Sequence, residues 1–371
     1  MRLAFVAPPN SIHTRRWAGW FARAGHAVSI VDPVGVDLKP GLPDGISVLR
    51  PESAARSVLA RRAAVRRVLL GIGPDVVHGQ YLARYAWAAA FAGISPLVVS
   101  PWGSDLLQVR RTRIRTRLWN RFALRRADLV TVSSQGMRLA AIEAGARPDR
   151  IRLVHHGVDT STFTPGPASD QLRARFGVAD SPVVVSPRTV TRLYRHDVVL
   201  GAVAELARRT SLAPVLVVSA ANADAHALAA LRDRAASAGM ADRLRVIEGL
   251  AADELPDLYR IGDVVVSVPE TDSFAVTLLE AMACARPLVV TDLLAVAPVM
   301  RPLDPVASSL IVPVGDVAAT ATAIERALTL DPDERERLGQ AMRRYVVEHA
   351  EYDTNMAAME AIYRQLATGR R

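Results

Sequence analysis

Short apolar runs alternate with amphipathic stretches along this chain, and the alternation starts twice. "RLAFVAP" (2–8), "AVSIVD" (27–32), "PDVVHG" (74–79), "PLVVSPW" (96–102), "ADLVTVSS" (127–134) and "IRLVHHG" (151–157) form the first series. Several are apolar without a break, as expected for parallel strands covered on both faces. Helical stretches such as "RRWAGWFARAG" lie between them. From 160 to 182 the text turns polar and rich in Pro and Gly, "TSTFTPGPASDQLRARFGVADSP", which predicts a linker. The series then restarts with "VVVSPR" (183–188), "APVLVVSA" (213–220), "RLRVIEG" (243–249), "DVVVSVP" (263–269), "PLVVTD" (287–292) and "SLIVPV" (309–314). Amphipathic helices over 318–330 and 333–367, broken near 349–353, close the chain. The expected fold is α/β, two doubly wound Rossmann-like domains facing a cleft, one over 1–165 and one over 166–348.

A length of 371 residues suits two such domains. Met1 runs directly into an apolar strand without a cleavable leader pattern, so a cytoplasmic protein is expected. The longest uncharged run, about 20 residues from Tyr85 to Ser104, is broken by Gly93, Pro96 and Pro101, and reads as helix then strand rather than a membrane span. Cys284 is the only cysteine, which excludes a disulfide framework and a cysteine-based metal site. The net charge of +9 is uneven. Residues 1–160 carry 24 Lys and Arg against 10 Asp and Glu, and the remainder 22 against 27. That asymmetry predicts an anionic partner for the N-terminal half.

Ligands of doubly wound sheets bind beyond the carboxyl ends of the strands, so the strand-to-helix turns are where chemistry is expected. The first, "APPNSIHTRRW", has no glycine and is not a dinucleotide fingerprint. It presents Asn10, His13 and Arg15, and the histidine suits a structural role as well as a ligand. "SPWGSDLL" offers Trp102 and Asp105 as a surface for stacking and hydrogen-bonding a sugar, although Ser104 and Asp105 also read as helix caps. "QVRRTRIRTRLWNRFALRR" holds eight arginines between 110 and 126, and "RSVLARRAAVRRVLLG" adds a second basic surface. Both are either solvated helix faces or a platform for anionic lipid or a phosphorylated acceptor. Nucleic acid would satisfy the charge, but no binding module is recognisable. "VVVSPRTVTRLYRHD" clusters Arg188, Arg192 and Arg195 at a strand end, where forked hydrogen bonds suit a diphosphate.

The turn "ETDS" and the helix "FAVTLLEAMACA" place Asp272 and Glu280 eight positions apart. On one helix that spacing is about 12 Å. It is too long to clamp one metal ion, and exceeds the roughly 5–9.5 Å between paired glycosidase carboxylates. The remaining reading is one elongated ligand. Its phosphates would lie over the helix start near Phe274, Ala275 and Val276, with a polar group near each carboxylate. A nucleotide sugar fits that description.

At these residues the chain resembles glycosyltransferase family 4, the retaining enzymes of GT-B fold. That family carries a Glu, seven residues, and a second Glu in a Leu-Leu-Glu-Ala-Met-Ala helix, which "DSFAVTLLEAMACARPLVV" matches with Asp272 and Glu280. "ADLVTVSS", "IRLVHHGVDTSTFTP" and "RRYVVEHAEYDTNMAAMEAIYRQL" are similar to further landmarks, so the likeness covers nearly the whole chain. It implies that Glu280 holds the ribose hydroxyls, that Asp272 lies near the transferred hexose, that the amides of Phe274 to Val276 lie near the distal phosphate and sugar, with Ser273 also in the donor site, and that Arg188 meets the diphosphate. It also implies that the last helix, 349–371, crosses back onto the N-terminal domain. The family's diphosphate lysine is replaced by Tyr194, which leaves Arg192 or Arg195 to supply charge, and its glycines at the helix start by Ser273 and Ala275. With "SPR" and "PWGSD", the Tyr-for-Lys exchange resembles one subset of the family.

The expected activity is metal-independent, retaining transfer of a hexose to an acceptor hydroxyl. The donor would lie on the C-terminal domain, the acceptor on the basic N-terminal one, with transfer in the cleft after closure. Arg188, Asp272 and Glu280 are the expected catalytic residues. No cofactor is expected, the nucleotide sugar (UDP- or GDP-hexose preferred) being a co-substrate. A nucleotide-sugar epimerase or pseudo-glycosyltransferase on the same fold, and a non-catalytic scaffold at the inner face of a membrane, are the alternatives. The base, the sugar, the acceptor and the oligomeric state are not legible in the sequence.

Overall fold

The computed structural model describes residues 1–52, 58–108, 114–178 and 181–369, so Arg56, Arg110, Arg111 and Arg113 of the two basic stretches lie outside the described residues. The chain divides into two compact units, one of residues 1–156 with 353–371 and one of residues 157–352.

The first unit runs β1 (Arg2–Val6), α1 (Ile12–Arg23), β2 (Ala27–Val31), β3 (Ile46–Leu49), α2 (Val58–Ile72), β4 (Val76–Gln80), α3 (Trp87–Ala92) and β5 (Leu97–Ser100). It continues with α4 (Ser104–Leu107), α5 (Ile114–Arg126), β6 (Leu129–Val132), α6 (Gln135–Glu143) and β7 (Ile151–Leu153). The seven strands form a parallel sheet of order β3-β2-β1-β4-β5-β6-β7. β5 and β6 are buried at every position, as a strand covered on both faces must be. β3, at the sheet edge, is mostly half-exposed, and its weak apolar pattern is why the sequence did not announce it.

The second unit runs α7 (Asp170–Arg175), β8 (Val183–Thr189), α8 (His196–Arg209), β9 (Val215–Ser219), α9 (Ala225–Ser237), β10 (Leu244–Ile247), α10 (Leu255–Ile261) and β11 (Val264–Ser267). Then come α11 (Val276–Ala283), β12 (Leu288–Thr291), α12 (Ala297–Met300), α13 (Pro305–Ser309), β13 (Ile311–Val312), α14 (Val317–Leu328) and α15 (Pro332–His349). Its six parallel strands are ordered β10-β9-β8-β11-β12-β13. In both sheets the order reverses beside the first strand of the unit, between β1 and β4 and between β8 and β11. Crevices form at such reversals because successive helices leave on opposite faces.

Asp331 caps α15 by accepting from the Glu334 amide, and Pro332 fills the first helical position where no amide is needed. That helix stops at His349. α16 (Tyr352–Thr368) then belongs, from Asp353 onward, to the first unit. There the Trp20 indole donates to Asp353 at 2.8 Å, His26 meets Glu360 at 2.9 Å and Tyr363 meets His78 at 2.5 Å. Met356, Met359 and Tyr363 are fully buried. At about 1.5–3 kcal/mol for a large side chain taken from water, these three fasten the terminal helix. Among the described residues no helix is long and apolar enough to cross a membrane.

Candidate functional site

In the second unit the site grows from the carboxyl ends of β8 and β11. Arg188, near the end of β8, is nine-tenths buried, and its guanidinium donates to the Asp272 carboxylate at 2.8 Å. It also lies over the Tyr194 ring, 4.0 Å from its centre, a cation–π contact. Burial alone would lower the Arg188 pKa. Asp272 and Tyr194 more than reverse that, so the cation is held firmly protonated. Its backbone is fixed as well, because His196 Nε2 donates to the Arg188 carbonyl at 3.1 Å. Burial pulls the His196 pKa down to about 4, so the ring is neutral near pH 7 and the carbonyl places its proton on Nε2.

The loop from β11 to α11 is tied at several points. Thr291 donates to the Pro269 carbonyl at 3.0 Å, the Glu270 amide to Leu193 at 3.3 Å, and the Ser273 amide to Asp272 at 2.7 Å. Phe274, buried, adopts φ of +74°, a left-handed conformation that costs a bulky residue about 1–3 kcal/mol and persists only where its surroundings enforce it. Ala275 then starts α11 with no side-chain cap, unlike α6, α14 and α15. An uncapped helix start aims amides and a partial positive charge at whatever lies before it. One turn on, Glu280 accepts a 2.6 Å hydrogen bond from Tyr259 of α10. Burial and then the Glu280 charge hold the Tyr259 phenol well above its ordinary pKa, so it remains a donor.

Arg195 sits at φ +50° and gives a forked pair of 3.0 Å bonds to Asp197, with a longer contact at 3.4 Å to Glu270. Its charge is already matched by two carboxylates. Arg192 is exposed and has no ion pair among the described residues. Of the three arginines read from "RTVTRLYR", only Arg188 joins the buried constellation with Asp272 and Tyr194.

In the first unit, rings gather at the carboxyl ends of β1, β4, β5 and β7. His13 stacks on His156 with centres 4.6 Å apart and meets the Trp102 edge at 5.5 Å. Tyr81 also meets Trp102, at 5.8 Å, and Trp17 lies 6.2 Å from His156. Burial and the nearby Arg16 lower His13 to about 4, and burial with His13 and Arg16 holds His156 well below its ordinary value. Both imidazoles are therefore neutral at pH 7. Thr14 Oγ1, Trp17 Nε1, Gln80 Oε1 and His156 Nδ1 are buried without a hydrogen-bond partner among the described residues.

The family model described as "Glycosyl transferase 4-like domain" matches residues 11–157, and that of "Glycosyl transferases group 1" matches residues 169–345, in tandem over most of the chain. Each of the chain's two units thus matches a glycosyltransferase domain model. Its relatives include a D-inositol 3-phosphate glycosyltransferase of Kineococcus radiotolerans, 35% identical over 44% of this chain and 39% of that one. A protein of the same name from Acidothermus cellulolyticus is 27% identical over 80% of this chain and 68% of that one. The matches with the first three such relatives span about 39–53% of their length. Among solved structures, a glycosyltransferase of Rickettsia africae superposes with a TM-score of 0.81 at 17% identity, covering 98% of both chains. HepE of Anabaena, solved in complex with UDP-glucose, gives 0.80 at 18% identity over 99% of this chain and 100% of that one. The fold is GT-B.

On this fold the residues read from the sequence separate into groups. Arg188 touches both Tyr194 and Asp272, while Ser273, Phe274, Ala275, Val276 and Glu280 follow on the adjoining loop and helix. Asn10 and Arg15 are occupied by the backbone of the loops after β1 and β2. Asn10 donates to Asp37 and accepts from Lys39, and Arg15 donates to the carbonyls of Pro9, Lys39 and Pro40. Asp105 accepts from the amides of Leu82, Trp102 and Gly103, and so binds the turn after β5 to the one after β4. His13 and Trp102 lie in the ring cluster. Sequence reasoning missed Tyr259, Trp17, Gln80 and His156. The doubled histidine of "IRLVHHG", at a strand end, was the one available signal.

Proposed function

We propose that this chain is a metal-independent, retaining glycosyltransferase that moves a hexose from a nucleoside-diphosphate sugar, UDP-linked by preference, to an acceptor hydroxyl. The Arg188–Asp272–Tyr194 constellation beside the uncapped start of α11 carries this reading. A fixed, desolvated cation and a helix start together stabilise the charge that develops on a departing diphosphate. Glu280, braced by Tyr259, binds the ribose hydroxyls, Asp272 and Ser273 face the hexose, and no cofactor takes part. Retention follows if the leaving diphosphate accepts the acceptor's proton on the face where the bond breaks. The HepE complex with UDP-glucose supports the preference for a UDP-sugar.

The acceptor reading rests on the first unit, whose neutral imidazoles, indole and amide groups suit a hydroxylated ring. The basic balance of residues 1–160 suits an acceptor that also bears phosphate, and the name of the curated relatives is of that kind. We also place the chain in the subset marked by "SPR" and "PWGSD".

The test is Glu280→Ala, followed by free nucleoside diphosphate, new glycoside and isomerised donor, with and without a chelator. Loss of donor binding or of turnover is expected. Near-normal glycoside formation by Glu280→Ala would refute the assignment, and an isomerised donor without glycoside would make the chain an epimerase.

A further inference from the structure

We propose that α5 is a membrane-docking helix that lies in the interface of a bilayer with anionic headgroups. The observation is an apolar stripe on the side of the helix facing away from its core. Ile114, Leu118 and Phe122, spaced i, i+4, i+8, are 73%, 59% and 42% exposed, whereas Asn120, Ala123 and Leu124 are buried. At about 100° per residue the stripe covers about 80° of the helix surface. Arg117, Arg121 and Arg125 fall beside or within it, all exposed, and Arg115 lies at its other edge, 5.0 Å over the Trp119 ring. The helix has no carboxylate, and among the described residues none of Arg117, Arg121 and Arg125 has an ion-pair partner. Leu118, Arg121, Phe122, Arg125 and Arg126 also line a shallow depression.

A solvated helix would not place its large apolar side chains outward, and a site for a soluble anion would not need them. A bilayer interface uses both classes at once. Apolar side chains enter the acyl boundary while arginines, whose stems are apolar, reach the phosphates. The stripe is rigidly backed. Phe122 stacks on Phe91 of α3 at 4.8 Å, and Trp119 packs edge-on against Trp87 at 5.0 Å and Phe91 at 5.7 Å. α2 also packs on α3 and carries exposed Arg62, Arg66, Arg67 and Leu70. Positive charge on two helices, α2 and α5, that both pack on α3 selects an anionic surface over a neutral one.

The experiment is flotation of the full chain with vesicles of phosphatidylcholine alone or mixed equally with phosphatidylglycerol. Binding to the mixed vesicles only, weakened by salt, is expected. Each arginine at such a surface accounts for about five-fold in partition, so Arg117→Gln, Arg121→Gln and Arg125→Gln combined lower it about a hundred-fold. Ile114→Gln, Leu118→Gln and Phe122→Gln combined lower it about ten-fold or more. Leu118→Cys carrying an environment-sensitive dye reads insertion directly, since the native Cys284 is buried, and a blue shift on mixed vesicles is expected. Equal binding to both vesicle types, no dye shift, or unaffected variants would overturn the proposal. So would a dimer that the apolar variant turns into monomer without any vesicle dependence, or binding of duplex DNA in place of vesicles. UDP-glucose stabilisation of the variants, read by thermal shift, tests the donor reading separately.

Discussion

Replacing Arg188 by Met leaves a side chain of similar length but removes the cation that faces Asp272. The Asp272 side chain is only 4% exposed, so its carboxylate would stay buried with the Ser273 amide as its remaining hydrogen-bond donor among the described residues. Breaking a buried pair from one side costs about 3–5 kcal/mol, because the abandoned charge keeps its desolvation penalty and loses its partner. Loss of the contact with Tyr194 adds about 0.5–2 kcal/mol. The double variant Arg188→Met with Asp272→Asn removes both charges, and should recover most of the larger loss. The two units allow a clean assay. All five tryptophans lie in the first unit, so their fluorescence reports that unit in urea while hydrogen exchange follows peptides of the second. With a slope of about 2 kcal/mol per M, the single variant's combined loss shifts the second unit's midpoint down by about 1.75–3.5 M and leaves the fluorescence transition in place. Neither variant should gain stability from UDP-glucose. A loss below about 1 kcal/mol in the single variant, or a double variant no more stable than the single, would show that the pair is not energetically coupled and refute the reasoning.

Acidification is expected to weaken the first unit more than the second. His13, His78 and His156 of the first unit and His196 of the second are all neutral in the fold, with pKa values of about 4 and 3 for His13 and His78, a value well below normal for His156, and about 4 for His196. Each binds a proton more readily unfolded, near 6.5, so its contribution, up to about 5 kcal/mol for His78, is complete above that pH and is lost as pH falls toward the folded values. A tryptophan transition in urea that does not move between pH 7 and 5 would contradict this. Asp105→Asn places an amide nitrogen against one of the backbone donors that the two carboxylate oxygens now serve, and should cost about 1–3 kcal/mol in the same fluorescence transition. Gly339→Ala gains about 1 kcal/mol in helix propensity, yet its Cβ would stand 2.8 Å from the Ala285 carbonyl in α11–α15 packing. Overpacking at about 1–3 kcal/mol should win, and a higher melting temperature would show that it does not.

Period and punctuation alone determined most of the architecture. Twelve apolar-rich runs between turn signals became twelve of the thirteen described strands, most of them because a parallel strand covered on both faces has to be largely apolar. β3 escaped since an edge strand buries little and carries little pattern. Arg188, Asp272 and Glu280 were likewise legible, as charged residues just beyond strand ends or near a helix start. What the sequence could not decide was which charges meet. Arg188 and Asp272 are 84 positions apart, and only the pairing of β8 with β11 brings their carboxyl ends together. The neighbouring arginines look equal in the text, yet the turn at Arg195 directs one to Asp197 and leaves Arg192 in solvent. Tyr259, an ordinary apolar position of α10, becomes the support of Glu280 through packing alone, and Asn10, Arg15 and Asp105 become backbone ties for the same reason. α5 reads as amphipathic either way round, and only its packing on α3 settled which side faces outward. Chain-local periodicity fixes the faces that must be buried, whereas a polar side chain takes its partner from residues far away in sequence, which only the assembled sheets bring within 3 Å.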